Sequence, residues 1–204
     1  VKKVRRLRNL VTKPGTPPNF LFEMSQPLFN DESTDERRKT AMKSLQRHLN
    51  KLPGPPDKWE GPGTPLHSAV QAQLLDVVYL LIKAKATVDI PDASGKTPLH
   101  YACADGSSDI CETLLAAQGD VNARDAAGST PLLFASTLNV CKLLLQVKAK
   151  VTAMNSYNET AMDIAARSGR EDIYMWLSDE MKRPPEELVS SGISNSEPPS
   201  SIEV

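Results

Sequence analysis

The chain has 204 residues, of which 40% are hydrophobic and 5% aromatic, and its formal net charge is −1. This length allows one domain, or one domain with extensions, and the near-neutral charge excludes a general nucleic-acid binder. No apolar run approaches the roughly eighteen residues that a membrane-spanning helix needs, so none is predicted. The small aromatic share is typical of a repeat stack, in which aliphatic contacts between neighbouring units replace one central core.

The charge is concentrated at the two ends of the chain. Residues 1–22 carry six basic residues and no acid, whereas residues 184–204 carry four glutamates and no base. Such ends are typical of interaction tails. The basic start resembles either the remnant of a transit peptide or a flanking arm, although it lacks the serine content and the apolar core of the usual signals. Targeting therefore stays open at this point.

Residues 1–30 are predicted to form an extended arm, because the proline- and glycine-rich stretch at 13–18 blocks regular structure. Two interpretations are open. The arm is a disordered tail, or it is a strap that lays apolar side chains on a partner or on the repeat stack, since it has more apolar residues than disordered segments usually have. The side chains that would make these arm contacts are Phe20, Leu21, Phe22 and Phe29.

A helix is predicted next, from about Ser33 to Lys51, in a capping segment at residues 31–52. Its first turn is acidic, and apolar residues recur along it at helical spacing, namely Ala41, Met42, Leu45, Leu49 and Leu52. Terminal units of a repeat stack need a polar outer face, so this helix is interpreted as an N-terminal cap. Its basic surface is either a solvated face or a docking surface for an acidic partner. A proline- and glycine-rich linker at residues 53–63 follows.

The rest of the chain has an internal period. Thr64, Thr97 and Thr130 each begin a Thr-Pro-Leu motif, and they are 33 residues apart. A period of this length marks a repeat architecture. In the first two units the motif ends in histidine and is followed by an alanine, a second apolar cluster and a closing Val-x-x-x-Asp-x-x-Gly pattern.

Local chemistry predicts a conformation for each part of the unit. Threonine is a good N-cap and proline is tolerated at the first helical position, so a helix is predicted to begin at each Thr-Pro. Apolar residues at helical spacing then predict two short antiparallel helices that pack together. Aspartate accepts a hydrogen bond from the backbone two residues on and glycine adopts a positive φ, so the closing pattern predicts a hairpin. In the last hairpin Asn155 and Asn158 replace these two residues.

These are the positions of the ankyrin signature, and residues 64–183 resemble the ankyrin-repeat family. The resemblance implies an all-α fold, an ankyrin-repeat solenoid of helix-turn-helix units with β-hairpin loops, here with an N-terminal capping helix and extended terminal arms. The third unit is short, so its first helix or turn must be shortened, and the fourth is interpreted as a C-terminal cap with a polar outer face. The predicted units are 64–96, 97–129, 130–159 and 160–183, followed by an acidic Ser/Pro-rich tail at 184–204.

The sequence contains no recognisable catalytic set. It has no glycine-rich phosphate loop and no zinc spacing among its cysteines. His67 and His100 are interpreted as structural residues that bond their local threonine-containing turn. Cys103, Cys111 and Cys141 occupy positions that are normally small and buried, so they are predicted to be inert core residues, which indicates a reducing compartment. No enzyme activity, metal or cofactor is therefore predicted.

The resemblance implies that the chain binds a protein partner through hairpin tips and first helices, with no nucleic acid and no small-molecule substrate. Many of the positions concerned are small, which predicts a flat surface. Tyr157 is the one large anchor candidate, although it could instead cover the neighbouring repeat. Carried over by position, the partner-binding residues are Gln71, Ala72, Ala93, Ser94, Lys96, Ala104, Asp105, Ala126, Ala127, Ser129, Ser156, Tyr157 and Glu159.

An alternative hypothesis is a permanent structural or peripheral subunit of a large assembly, such as an organellar membrane complex, anchored by the extended arms. An intracellular protein is expected under both hypotheses, either cytoplasmic or peripheral in a plastid or mitochondrion. The repeat scaffold does not specify the partner, because function belongs to the surface.

Overall fold

The structure, a computed structural model, describes residue 43, residues 45–47, residue 57 and residues 63–182. The described part of the chain consists of short helices joined by turns and contains no strand, so the all-α prediction is confirmed. The helices with complete bounds are α1 (Pro65–Gln71), α2 (Leu75–Lys83), α3 (Pro98–Asp105), α4 (Ser108–Ala116), α5 (Pro131–Phe134), α6 (Leu138–Gln146), α7 (Ala161–Arg167) and α8 (Glu171–Lys182).

The helices alternate between two layers. The first helices of the units, α1, α3, α5 and α7, contact one another in order and form the first-helix layer. The second helices, α2, α4, α6 and α8, form the second-helix layer in the same way. Among the described helices, the main contacts of each unit are with its neighbours, which is the architecture of a solenoid.

The first helices begin where the Thr-Pro motifs predict. Thr64, Thr97, Thr130 and Thr160 have extended backbone conformations and immediately precede a first helix. A proline follows the first three of these threonines, at a position where its missing N–H costs no helical hydrogen bond. The helix starts are therefore set locally.

The core lies between the two layers. Leu81, Leu114, Leu144 and Leu177 occupy the same position in the four second helices, and none is more than 3% exposed. Burial of each such leucine contributes about 1.5–3 kcal/mol relative to exposure. The alanines Ala69, Ala102 and Ala165 are also buried in the first helices, and their small side chains allow neighbouring helices to approach closely.

The described residues before α1 include part of the predicted capping helix. Lys43 and residues 45–47 are helical, and Leu45 is 6% exposed and belongs to the same core as the repeats. The rest of that helix and the whole predicted arm, with the contact residues Phe20, Leu21, Phe22 and Phe29, lie outside the described residues. The same is true of the tail at 184–204.

Asp57, in the predicted linker, is tied to the repeats. Its carboxylate accepts hydrogen bonds from the Thr87 N–H at 2.8 Å and from the Thr87 hydroxyl at 2.6 Å. In the next unit the Asp89 carboxylate accepts from the Asp120 N–H at 2.9 Å, in the turn that follows the second helix. Asp57, in the predicted linker, therefore binds the turn after α2 as Asp89 binds the turn after α4.

The third unit is shortened in its first helix, as the sequence predicts. α5 has 4 residues, whereas α3 has 8. The chain after α5 turns toward the end of α3, where the Ser136 N–H and hydroxyl donate to the Cys103 carbonyl at 3.1 and 3.3 Å. Arg170 Nη1, from the turn between α7 and α8, donates to the Ala135 carbonyl at the end of α5. Both neighbouring units thus supply hydrogen bonds that a longer helix would make within itself.

α8 ends the described part of the chain. It carries exposed acidic residues, as expected of a cap, but its surface also contains Tyr174, Met175 and Met181, which are 37%, 59% and 46% exposed. Its outer face is therefore mixed. Within the described ranges, no helix has the length and apolar content needed to cross a bilayer.

Two glycines test the packing around the shortened helix. Gly106 and Gly169 both have left-handed φ, 73° and 67°. A Cβ on Gly106 would lie 2.7 Å from Ser136 Oγ and 2.8 Å from Thr137 Cγ2, whereas a Cβ on Gly169 would meet nothing within 4 Å. Gly169→Ala should lower the free energy of unfolding by about 1–2 kcal/mol through φ alone. Gly106→Ala should lower it by about 1–3 kcal/mol more, because of the steric overlap.

Urea unfolding of the two variants and the unmodified chain measures this difference. Equal losses for the two substitutions would show that the contact between Gly106 and the chain after α5 does not constrain the fold.

Candidate functional site

Three hairpins project between the repeats, at residues 92–96, 125–129 and 155–159, and are called here the first, second and third hairpins. In each, the first residue's N–H donates to the carbonyl of the fifth, at 2.9, 3.0 and 3.1 Å. The fourth residue has a left-handed φ, 77° for Gly95, 74° for Gly128 and 57° for Asn158. The predicted hairpin chemistry is confirmed, including the use of Asn158 in place of glycine.

The first residue of each hairpin fixes the turn through one side-chain oxygen. Asp92 Oδ1 accepts from the Ser94 and Lys96 N–H groups at 2.8 and 3.0 Å. Asp125 and Asn155 accept in the same way from the third and fifth residues of their own hairpins. Because only one acceptor oxygen is needed, an amide at Asn155 replaces the carboxylate without loss of the turn.

The pKa of Asp92 lies below its usual value. Burial by itself would raise this pKa, but hydrogen bonds from the Tyr101 hydroxyl, from Ser94 and from the Lys96 N–H outweigh it and favour the carboxylate. The Tyr101 hydroxyl lies 2.5 Å from Asp92 Oδ2. Asp92 is therefore ionised near neutral pH, in the state that accepts these bonds.

Neighbouring hairpins are hydrogen-bonded to each other through their backbones. The Ala126 N–H donates to the Ser94 carbonyl at 3.0 Å, and the Ser156 N–H donates to the Ala127 carbonyl at 2.8 Å. The three hairpins therefore form one continuous row, called here the hairpin strip. Such bonds hold the tips at fixed spacing, which is a condition for a preorganised binding surface.

Arg124 strengthens the contact between the second and third hairpins. Its Nη1 donates to the Gly128 carbonyl and to the Met154 carbonyl, both at 2.9 Å. One guanidinium therefore links the second hairpin to the residue that precedes the third hairpin. The sequence did not point to this residue, because the two carbonyls are brought together only by stacking of the units.

Buried histidines link the first helices to the hairpins. The Thr64 N–H donates to His67 Nδ1 at 3.0 Å, and His67 Nε2 lies 2.9 Å from the Lys96 carbonyl. His100 makes the equivalent contacts, with the Thr97 N–H at 3.1 Å and the Ser129 carbonyl at 3.1 Å. The predicted structural role is confirmed, and it extends to the base of the following hairpin.

These contacts require neutral imidazole rings. Nδ1 accepts from a backbone N–H, which can only donate, so the ring proton is on Nε2 and is donated to a carbonyl. Burial lowers the pKa of both His67 and His100 from the ordinary value of 6.5, although the bond from each ring to the carbonyl works in the opposite direction. Both rings are therefore neutral near neutral pH.

The third unit lacks this link. Leu133 stands where a histidine would, and the buried Thr130 hydroxyl has no hydrogen-bond partner among the described residues. In the fourth unit Asp163 takes the histidine's local place and accepts from the Thr160 N–H at 2.8 Å and hydroxyl at 2.7 Å. These bonds from Thr160 lower the pKa of the Asp163 carboxyl. The third hairpin is therefore held by Arg124 and by the strip, not by a buried histidine.

The structure brings most of the predicted partner-binding residues to one surface. Tyr157 is 74% exposed, so it does not cover the neighbouring repeat. Ala93, Ser94, Ala126 and Ser156 are exposed at the hairpin tips, as are Ala104 and Asp105 at the end of α3. The half-buried members of the set are Gln71, Ala72, Lys96, Ala127 and Glu159.

Ser129 is a correction to the predicted surface. It is only 6% exposed, because its N–H donates to Asp125 Oδ1 and its carbonyl accepts from His100. Lys96 and Glu159 occupy the same position in the other hairpins and are half-buried. The fifth residue of a hairpin thus belongs to its base, and Ser129 is not part of the candidate surface.

Residues that sequence reasoning missed lie beside the strip. Lys96 Nζ lies 4.5 Å from the centre of the Phe134 ring and 5.8 Å from that of Tyr101. Met154 is 50% exposed next to the third hairpin. Tyr101 and Phe134 each stand two residues after the leucine of a Thr-Pro-Leu motif. Their equivalent positions in consecutive units were a signal in the sequence that they share one surface.

The cysteines lie inside the stack. All three are buried and free, and the sulfurs of Cys103 and Cys111 are 3.9 Å apart. The hydrogen bond to Cys111 and burial raise the pKa of Cys103, and burial raises the pKa of Cys141 to about 11. Protonated buried thiols behave as small apolar side chains. In the part of the chain that the structure describes, no cluster of histidine, cysteine and carboxylate side chains could hold a metal ion.

The neutral histidines predict a pH dependence of stability. Since the folded-state pKa of His67 and His100 lies below the unfolded value of 6.5, the unfolded chain binds more protons between the two values. This contribution to stability is fully present above pH 6.5 and is lost as the pH falls through the folded-state pKa values. The free energy of unfolding should therefore decrease on acidification below neutral pH.

The matched control is the double variant His67→Leu/His100→Leu, which copies the leucine that the third unit has at this position. It should be less stable at pH 7, by about 1–3 kcal/mol per site for the polar groups left unpaired, and its stability should vary less between neutral pH and about pH 5. Parallel pH profiles of the two proteins, measured by urea unfolding, would contradict the role assigned to the histidines.

Comparison with known proteins agrees with this geometry. A sequence model of ankyrin repeats in three copies matches residues 38–125. The match begins inside the predicted capping helix and ends at Asp125, whereas the repeated two-helix geometry continues to Lys182. A search of curated proteins found no match.

The matched repeats, the two helix layers and the row of hairpins thus agree with one another. The chain therefore contains ankyrin repeats.

Proposed function

We propose that the chain is a non-catalytic module that binds a protein partner through the hairpin strip and the exposed ends of the first helices. Ankyrin repeats generally mediate protein–protein interaction. The observation that supports this surface is the hydrogen-bonded strip itself, in which the tips are held in a row by the Ala126–Ser94 and Ser156–Ala127 backbone bonds. A surface that is already ordered loses less conformational entropy when it binds.

The side chains of the strip suit a protein partner. Ala93, Ser94, Ala126 and Ser156 are exposed and small, so the backbone of a partner can approach the strip closely. Tyr157 is the large exposed side chain of the strip, and exposed aromatic residues often supply much of the energy of an interface. The expected interface is therefore flat along two hairpins, with an aromatic anchor at the third.

The first helices would widen this surface. Ala104 and Asp105 are exposed at the end of α3, and Gln71 and Ala72 are half-exposed at the end of α1. A partner that contacts both the tips and these helix ends would cover the face of the stack formed by the first-helix layer. The opposite face, made by the second helices, is not part of the proposal.

The alternative hypothesis of a permanent structural subunit makes a different prediction for the native protein. The mass of the endogenous protein in a gentle, detergent-containing extract distinguishes the two. Migration with a large assembly at fixed stoichiometry would favour the structural subunit. Migration at the mass of a single chain, or with partners in variable proportion, would favour reversible binding.

The proposed surface is tested by substitutions that differ only in position. Ala126→Arg places a bulky charge on the strip, and Ala116→Arg places the same side chain on the exposed end of α4 in the other layer. For a partner identified by mass spectrometry in the native extract, Ala126→Arg should weaken affinity at least about tenfold, and Ala116→Arg by less than about twofold.

Tyr157→Ala completes this series. It should weaken the same complex at least about tenfold, since it removes the proposed anchor, while thermal unfolding stays near that of the unmodified chain because Tyr157 is exposed. Calorimetric titration gives the affinities. If the two strip variants bind as well as Ala116→Arg does, the partner uses another surface and the proposed function fails in this form.

A further inference from the structure

The hairpin strip has an open end. Each contact within it joins the N–H of the second residue in the later hairpin to the carbonyl of the third residue in the earlier one, as in the pairs Ala126–Ser94 and Ser156–Ala127. By position, the next acceptor is the carbonyl of Tyr157. No described residue donates a hydrogen bond to it.

The turn of the third hairpin places this carbonyl as the earlier turns place theirs. Asn155 closes the hairpin with the same bonds as Asp92 and Asp125, and Asn158 has the left-handed φ of 57° that glycine supplies in the other two. The Ser94 and Ala127 carbonyls, which hold the same position, both point to the hairpin that follows. By this equivalence the Tyr157 carbonyl points away from the second hairpin, toward the place that a fourth hairpin would take.

The described part of the chain does not fill that place itself. α2, α4 and α6 each have 9 residues, and the chain then turns back toward the strip through Lys85, Gln118 and Lys148, each with a φ of 66°. α8 has 12 residues, and Met181, at the matching position, is still helical. At this position α8 thus continues along its own axis, whereas in the earlier units the chain turns back toward the strip.

The third hairpin and the residue before it carry two exposed apolar side chains. Tyr157 is 74% exposed and Met154 is 50% exposed. Arg124 holds the backbone at Met154, because its Nη1 donates to the Met154 carbonyl at 2.9 Å. A solvent-exposed backbone acceptor that has no donor among the described residues, on a hairpin with exposed apolar side chains, can accept a hydrogen bond from an added backbone segment.

The charge of the third unit adds a preference. Between residues 126 and 158 the sequence has lysines but no aspartate or glutamate, and Glu159, which ends the third hairpin, is paired with Arg167 at 2.7 Å. Lys150 is exposed and lies shortly before the third hairpin in the sequence. Its N–H donates to Asn122 Oδ1 at 2.9 Å, and Asn122 is close in sequence to Arg124. The segment that leads into the third hairpin therefore presents positive charge, which complements an acidic partner.

We propose that the open end of the hairpin strip binds an acidic, extended or turn segment of a protein partner, whose backbone N–H donates to the Tyr157 carbonyl while an apolar side chain packs on Tyr157 and Met154. The acidic side chains of the segment lie near Lys150. The strip provides the template, since Ala126 and Ser156 make the same backbone contact at the two filled positions. The inference rests on the proposed function and specifies the place and chemistry of the contact.

The experiment uses short linear peptides selected from a random displayed library against the immobilised full chain. The affinity of the tightest selected peptide is then measured by fluorescence anisotropy. Tyr157→Ala should weaken it at least about tenfold, whereas Tyr79→Ala, which removes an exposed tyrosine from α2, should change it less than about twofold. Lys150→Glu should weaken it about threefold or more, and Lys142→Glu, on the exposed face of α6, should have a smaller effect.

The backbone contact has its own test. Each amide of the peptide is N-methylated in turn, which removes one donor at a time. Methylation at one position should weaken binding about tenfold beyond the others, because the Tyr157 carbonyl then loses its partner. Tolerance of methylation at every amide, unchanged affinity for Tyr157→Ala, or failure of the library to yield a binding peptide would each overturn the inference.

The same data separate this inference from the proposed function. If Ala126→Arg abolishes binding and Tyr157→Ala does not, the strip binds proteins but its open end is not the contact. If neither substitution matters, both proposals fail. A synthetic peptide of residues 183–204 serves as the competitor: if it binds the chain with the same dependence on Tyr157, the protein closes its own strip and the assignment to a partner is wrong.

Discussion

The arrangement of this stack depends on hydrogen bonds that cross from one repeat to the next. His67 joins the start of α1 to the Lys96 carbonyl, and His100 joins the start of α3 to the Ser129 carbonyl. Each ring satisfies a helix N-terminus on one side and a hairpin base on the other, so the angle between helix and hairpin is fixed by a single rigid group. Because the bonds require the neutral imidazole, a proton on either ring would act against the repeat geometry.

The third repeat shows how the stack tolerates the loss of such a bond. Leu133 replaces the histidine and α5 has 4 residues, so this unit lacks both the ring and one helical turn. Its neighbours supply substitutes, since Arg170 donates to the Ala135 carbonyl and Arg124 donates to the Met154 carbonyl. A solenoid can accept this change because each unit needs only its two neighbours to satisfy its backbone.

These same substitutes shape the surface that we propose for binding. The third hairpin is held from the side of the second, through Arg124 and the Ser156–Ala127 bond, and no described residue donates to the Tyr157 carbonyl on its far side. The exposed apolar side chains and the lysines are on this same unit. The binding site that we propose therefore lies where the described series of hairpins stops.

The sequence by itself determined the helix starts, the hairpin turns and the local role of the histidines, because these depend on residues two to four positions apart, as in the bonds from Ser94 to Asp92 and from Thr97 to His100. Only the tertiary structure decided that Ser129 is buried, that Asp57 binds Thr87, and that no described residue donates to the Tyr157 carbonyl. Those contacts join residues about one repeat apart, such as the 30 positions between Asp57 and Thr87. Sequence spacing shows that such residues are equivalent, but only stacking shows which of their groups find partners and which stay open.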